Sequence, residues 1–261
     1  MKKNQLIPVL LLFIGLAALS FTIAAGVKLR LKPQQGETYT ITSNATSTTR
    51  IGDQGLSISS NQTVKTRQSF TAKTVSGNKV VINSQIDAIK MTMSMMSMNV
   101  EYDSEHLDET NPLIADQAEE FEKNLNKPFS MTYDATGKTV SNKNDLPMSQ
   151  LSSVIIPLPK EELNVGSKWS SEKKQEVNGM QVKANMEYTV TAISTTSVEV
   201  NLTGHVKAKD ASGTFTGTAS IDPKTGMTTK STTRSNISMS IHEHGRTSPV
   251  SMSTVTTIEV K

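Results

Sequence analysis

The sequence predicts an all-β, β-dominated fold: long curved antiparallel sheet(s) from two similar halves, with one short central helix. Three observations carry that reading. Apolar and polar residues alternate with period two along most of the chain. Turn signals containing glycine separate the alternating runs. Motifs of the first half return in the second. Aromatic residues make up only 4% of the 261 residues, while serine and threonine abound, a mix that suits exposed β surface.

The elements follow in order. Lys2 and Lys3 form a positive N-terminal region before an apolar run from Leu6 to Ala25. Small residues at Ala24, Ala25 and Ser20 offer cleavage positions, so residues 1–25 read as a secretory signal peptide. The rival reading is an uncleaved anchor, because the run has about the ~20 residues a membrane helix needs. In both readings the lysines stay inside and the rest of the chain is exported, to the periplasm, the cell surface or the medium. Membrane contact is then expected only through Leu6–Ala25, if that run is uncleaved. Residues 26–145 form a first β half, 146–165 a connector containing Pro157 and Pro159, and 166–261 a second β half.

The clearest strand holds Val182, Ala184, Met186, Tyr188, Val190 and Ala192 on one face, with polar residues between them. Such a strand is half-buried. Asn178-Gly179 is a two-residue hairpin signal, since a type I′ turn needs positive φ at both central positions. Further breaks fall at Ser76-Gly77-Asn78, Ala135-Thr136-Gly137 and Ala211-Ser212-Gly213. Short connections imply antiparallel neighbours, and the pattern gives about a dozen strands in meander-like order. One region departs from period two: Asn111-Pro112 starts a helical pattern that continues through Leu113, Ile114, Ala118, Phe121 and Leu125. It predicts a helix over 112–125, packed on a sheet face or at a rim.

The halves match in places. Gly36-Glu37-Thr38-Tyr39 parallels Gly166-Ser167-Lys168-Trp169, and Val64–Met91 parallels Val182–Ala208. Tyr133-Asp134-Ala135-Thr136-Gly137 parallels Ile221–Gly226. Such an internal duplication implies two curved sheets, or two halves of one sheet, related by a pseudo-twofold axis. Asp134 and Asp222 precede glycine turns, where a carboxylate bonds local backbone N–H groups.

Several pieces carry a resemblance: LRLKPQQGETYTI at 29–41, YDSE at Tyr102–Glu105, NPL at Asn111–Leu113, KPFSMTYDATGKTV at Lys127–Val140, VGSKW at Val165–Trp169 and IDPKTGMTTKSTT at Ile221–Thr233. With them the chain resembles a family of exported bacterial envelope proteins catalogued as a domain of unknown function. The resemblance implies an envelope-located β fold and assigns no catalytic residues. Many members look like lipoproteins; this chain has no cysteine and departs from them there.

Composition excludes other classes. With no cysteine, disulfides, thiolate catalysis and CxxC metal sites are ruled out. The net charge of +3 is spread along the chain without a basic stripe, which argues against nucleic acid as a partner. No GxSxG elbow is present, and no enzyme is expected.

The strongest candidate site is a methionine run: Met91, Met93, Met95, Met96 and Met98. In a continuous strand the first three share one face and the last two the other. Methionines fill cores, line adaptable apolar surfaces, or as soft thioethers collect Cu(I). His242 and His244, on one strand face, form a weak metal-ligand pair. No cofactor is expected. The functional expectation is a non-catalytic module holding a lipid or other apolar or amphipathic ligand against the methionine run. The alternative is a structural protein of the envelope, pairing with a protein partner through strand edges or polar faces such as Thr40–Arg50.

Overall fold

The computed structural model describes residues 26–53, 56–106, 114–142, 154–177, 180–243 and 246–261. The Leu6–Ala25 run, Asn178-Gly179, His244 and the proposed start of the helix at Asn111–Leu113 lie outside the described residues.

The chain forms one antiparallel sheet and a single described helix. The strands are β1 (Thr38–Asp53), β2 (Leu56–Ser76), β3 (Lys79–Met95), β4 (Met98–Asp103), β5 (Phe129–Asp134), β6 (Thr139–Asn142), β7 (Lys168–Val177), β8 (Met180–Ile193), β9 (Val198–Lys207), β10 (Ala211–Ile221), β11 (Thr228–Glu243) and β12 (Arg246–Val260). Their order across the sheet is β6-β5-β3-β2-β1-β12-β11-β10-β9-β8-β7, with β4 also paired to β3. Of the two expected arrangements, the single continuous sheet is the one formed. Sequence neighbours pair nearly throughout, as short turns require. The meander is broken at two places: β5 follows β4 in sequence but pairs with β3, and β6 and β7 are adjacent in sequence but lie at opposite edges, while β1 and β12 pair in the middle.

The break between β6 and β7 is bridged by chain that fills the curve of the sheet. Val154, Ile155, Ile156, Leu158 and Leu163 are buried with Leu29 and Leu31 in one cluster. The same cluster takes in Ile41, Phe70, Ile82, Tyr133, Tyr188, Val200, Ile221 and Ile258, from strands across the whole sheet. Strands that far apart in the order share one core only if the sheet curls around the filling. The described part of the connector, 154–165, is therefore extended, as its prolines suggest, but it is core rather than a free linker.

Two glycine turns grip this filling in matching ways. The Leu158 N–H donates to Thr136 O and the Lys32 N–H to Thr225 O, each 2.7 Å long. Beside each acceptor a glycine has positive φ, 73° at Gly137 and 68° at Gly226. A Cβ there would meet Ile156 O at 3.1 Å and Arg30 O at 2.2 Å respectively. So the segment before β7 docks on a turn of the first half, and the segment before β1 docks on a turn of the second. Arg30 ties the two segments together by donating to Pro159 O and Lys160 O. Asp134 fixes its turn by accepting from the Thr136 and Lys138 N–H groups, and Asp222 does so from Lys224 N–H. Aromatic pairs stand at corresponding strand positions: Tyr39 edge-on to Phe70 with centroids 6.0 Å apart, and Trp169 stacked on Tyr188 at 5.0 Å.

The helix α1 (Ala115–Asn124) lies within the predicted span. Ile114 and Ala118 are buried, with Phe121 and Leu125 half-buried on the same stripe, against Ile86, Ile89, Met91, Val100 and Tyr102. The excursion leaves and rejoins the edge of β3 by two bonds: Ser104 N–H to Ile89 O and Asn126 N–H to Ile86 O. Glu119 and Lys123 pair at 2.8 Å on the exposed side.

Candidate functional site

Pairing register places side chains into rows that cross the sheet on its inner face, the face that meets the core. One row passes Trp169, Tyr188, Leu202 and Gly217. It continues through Thr233, Thr256, Ala45, Val64, Met91 and Tyr102. The next row away from the core holds Met186, Gly204, Phe215, Gln62, Met93 and Val100 among serines and a threonine. The third runs Lys173, Ala184, Val206, Gly213 and then Ile237, Met252, Thr49, Ser60, Met95, Met98. A last row at the strand tips joins Ala211, Met239, Val250, Ile51 and Ile58.

The filling covers the inner end of this face, and α1 covers the part on β3 and β4. Beyond them Phe215, Ile237, Met239, Met252 and Met95 are partly exposed, and Met186 and Met93 are partly exposed where they pack against the margins of the two clusters. Ile51 at 39% and Ile58 at 36% stand open at the tips. These apolar stretches, interrupted by Ser235, Thr254, Ser47 and Gln62 in the second row and by Thr49 and Ser60 in the third, are partly exposed, and exposed apolar surface of this kind marks an interaction or ligand surface. The sheet is tight here. Cβ atoms added at Gly204, Gly213 and Gly217 would come within 2.6 Å of the neighbouring strand's carbonyl oxygens. Glycine lets strands approach and bend there.

The methionine run divides along this face. Met91 is 0% exposed and its sulfur accepts from Gln62 Nε2 at 2.9 Å, so it is core. Met93 and Met95 follow on the same face, partly exposed. The expectation that Met96 and Met98 share the opposite face is corrected for Met98. The β3–β4 hairpin turns at Met96-Ser97, and Met98 pairs with Met95 across it. Paired residues of an antiparallel ladder project to one face, so Met98 rejoins Met91, Met93 and Met95. Met96 stands at the tip, 66% exposed, and Met98 is 43% exposed. Both turn residues have positive φ, 48° at Met96 and 71° at Ser97, a conformation that asparagine and glycine adopt without strain.

Sequence reasoning missed Lys173. It is the one charged residue in these rows. Burial alone holds its ammonium below the ordinary lysine value. No carboxylate pairs with it among the described residues; Glu172, on the other face, takes Lys174 and Lys183. The alternation of β7 carried the signal, with Trp169, Ser171 and Lys173 on one side. Tyr102 is the second unexpected polar group. Its hydroxyl is buried beneath α1 with no hydrogen-bond partner among the described residues. His242 lies in β11 opposite Thr247. Among the described residues no three His, Asp or Glu side chains form a metal-ligand group.

The outer face is a field of serine, threonine and asparagine, bonded in places by hydroxyl pairs such as Thr38 with Thr71 and Thr48 with Asn61. A groove of about 810 Å³ on this side, near the strand tips, is bordered by Arg50, Lys207, Lys209 and Asp210 and floored largely by serines.

The fold has counterparts among solved structures. A lipovitellin structure superposes with a TM-score of 0.52 at 11% identity, over 87% of this chain and 25% of the lipovitellin chain. This chain thus spans about a quarter of that protein, and at this identity the likeness is one of fold. The translocator domain of the autotransporter NalP from Neisseria meningitidis matches over 87% of this chain and 89% of its own, at 9% identity and a TM-score of 0.39. An outer-membrane channel from Pseudomonas putida F1 matches over 88% of this chain and 97% of its own, at 8% identity and a TM-score of 0.28. No curated protein matches the sequence. Residues 142–241, which include the VGSKW and IDPKTGMTTKSTT motifs, match the model of a family of unknown function (DUF6263).

Proposed function

We propose that this chain is an exported, non-catalytic binding module that holds an apolar or amphipathic ligand on the open part of its inner face. One observation carries the reading: apolar rows in register run across the sheet, past the end of the core, partly exposed. The hydrophobic effect favours covering such surface, at roughly 25 cal/mol per Å². Flexible methionines line it at two places, Met93 and Met95 on β3 and Met239 and Met252 on β11 and β12 in the middle of the sheet, and suit ligands of variable shape. The left-handed backbone at Met96 supports the reading as well, since strain of that kind is retained at functional positions. The lipovitellin structure of similar fold is one of lipid–protein interactions, which supports the same class of ligand.

Edge pairing with a protein partner is the weaker reading. The free edge strand β7 carries Lys168, Glu172, Lys173 and Lys174, and charged edges of this kind discourage strand addition.

The test is native mass spectrometry of the protein purified from its own host in detergent-free buffer, with extraction of anything bound. An apolar or amphipathic molecule is expected to co-purify. It should be lost when Met93 and Met239 are changed to glutamate, provided circular dichroism shows the sheet intact. An unliganded mass that stays unliganded on addition of laurate, dodecyl phosphate and dodecanol would sink the reading.

A further inference from the structure

The third row has a polarity of its own. It begins at β7 with Lys173 and continues through Ala184, Val206, Gly213, Ile237 and Met252, small or apolar without interruption. The geometry points to Lys173 as the receptor for the anionic head group of an amphiphile whose hydrocarbon tail lies along that row. The inference rests on the binding reading above and names its ligand class.

The physical case has three parts. A half-buried ammonium without a counter-charge has lost hydration and gained no ion pair, which is unfavourable unless a partner arrives. Every other position of the row is uncharged, so a ligand bound there meets one cation and otherwise only apolar or neutral surface. The length fits: from Lys173 to Ile237 the row crosses four strand spacings, an arc of ~19 Å. An acyl chain reaches ~15 Å, half the ~30 Å hydrocarbon thickness of a bilayer. Carboxylate and phosphate heads share the chemistry that lysine needs, a compact anion accepting from its three donors.

An inward lysine on an edge strand has a second physical use, since it deters pairing with another chain. The test separates the two. The purified protein is titrated by calorimetry with laurate, dodecyl phosphate and dodecanol in low-salt buffer. One or both anions are expected to bind at least tenfold more tightly than the alcohol, and the stronger of the two identifies the head group. The preference is expected to collapse in Lys173→Gln, to survive in Lys173→Arg and in the outward-facing Lys174→Gln, and to shrink in high salt. Wild-type protein that binds dodecanol as tightly as both anions overturns the inference while leaving the apolar site standing. So does a Lys173→Gln protein that keeps the preference, and one that keeps it while dimerising assigns the lysine to edge protection. Failure of all three probes to bind overturns this inference and the binding reading together.

Discussion

The two ends of the inner face are made of the same material and have opposite fates. At one end Ile41, Phe70, Ile82, Val200 and Ile221 meet Leu29, Leu31, Ile155, Ile156 and Leu158, and all are sealed. At the other, Ile51, Ile58, Ile237, Met239 and Met252 continue the same alternation with no described segment laid over them. Period-two patterning tells which side chains share a face. Whether that face becomes core depends on what covers it. Among the described residues the cover comes from two short segments distant in sequence, with α1 over β3 and β4, and it stops partway along the strands.

The sharpest way to break the comparison is to truncate one side chain at each end. Phe70→Ala is expected to cost about 3–5 kcal/mol in urea unfolding. Ile237→Ala, at the open end, should cost less, roughly 1–2 kcal/mol, because part of its surface stays in water in the folded protein. Equal losses would mean that the open end is as packed as the sealed one.

Glycine substitutions come next. Gly226 combines a φ of 68° with a Cβ position 2.2 Å from Arg30 O, so Gly226→Ala should cost roughly 2–4 kcal/mol and loosen the docked segment before β1. Gly77 has a similar φ of 56° with nothing within 4 Å, and its alanine variant should cost only about 1 kcal/mol. The difference between the two, read in thermal melts, measures the close approach of backbone at the sealed end.

At the open end a substitution in the other direction is informative. Ser97→Gly relieves the left-handed strain at one of the two residues of the β3–β4 turn and should stabilise the protein by about 1 kcal/mol. If Met96 is displayed for binding, stability rises without any gain in ligand affinity.

The smallest effect concerns pH. Burial pushes the Asp134 carboxyl up, but hydrogen bonds from the Thr136 side chain and from the Lys138 and Thr136 N–H groups outweigh it and hold the carboxyl below its ordinary value. A depressed carboxylate contributes stability above its unfolded pKa, and that contribution is lost as pH falls through the folded value. Asp134→Asn should therefore cost about 1 kcal/mol near neutrality. The gap from wild type should close as acid takes the pH below about 4.

Much of the fold was legible in the sequence, for local reasons. The alternation of Val182–Ala192 and the spacing of Ile114, Ala118, Phe121 and Leu125 state their periods directly. What stayed hidden depends on long-range register. Met98 returns to the face of Met95 because Met96 and Ser97, neither of which favours left-handed backbone, make a tight turn. Lys173 joins Ile237 and Met252 only through pairings across β7 to β12. The docking of Leu29–Lys32 and Ile155–Leu158 follows from backbone bonds that leave no pattern in side-chain type, except the glycines at 137 and 226.

The most direct test of the central claim uses methionine methyl groups as reporters at both ends. Methyl-labelled protein is titrated with dodecanol and followed by NMR, with assignments from single Met→Leu variants. The account predicts saturable shifts at Met93, Met95, Met239 and Met252, and none at Met131 and Met227, which are sealed in the core. Saturable shifts confined to the core methionines, or no saturable shift at the open end, would contradict it.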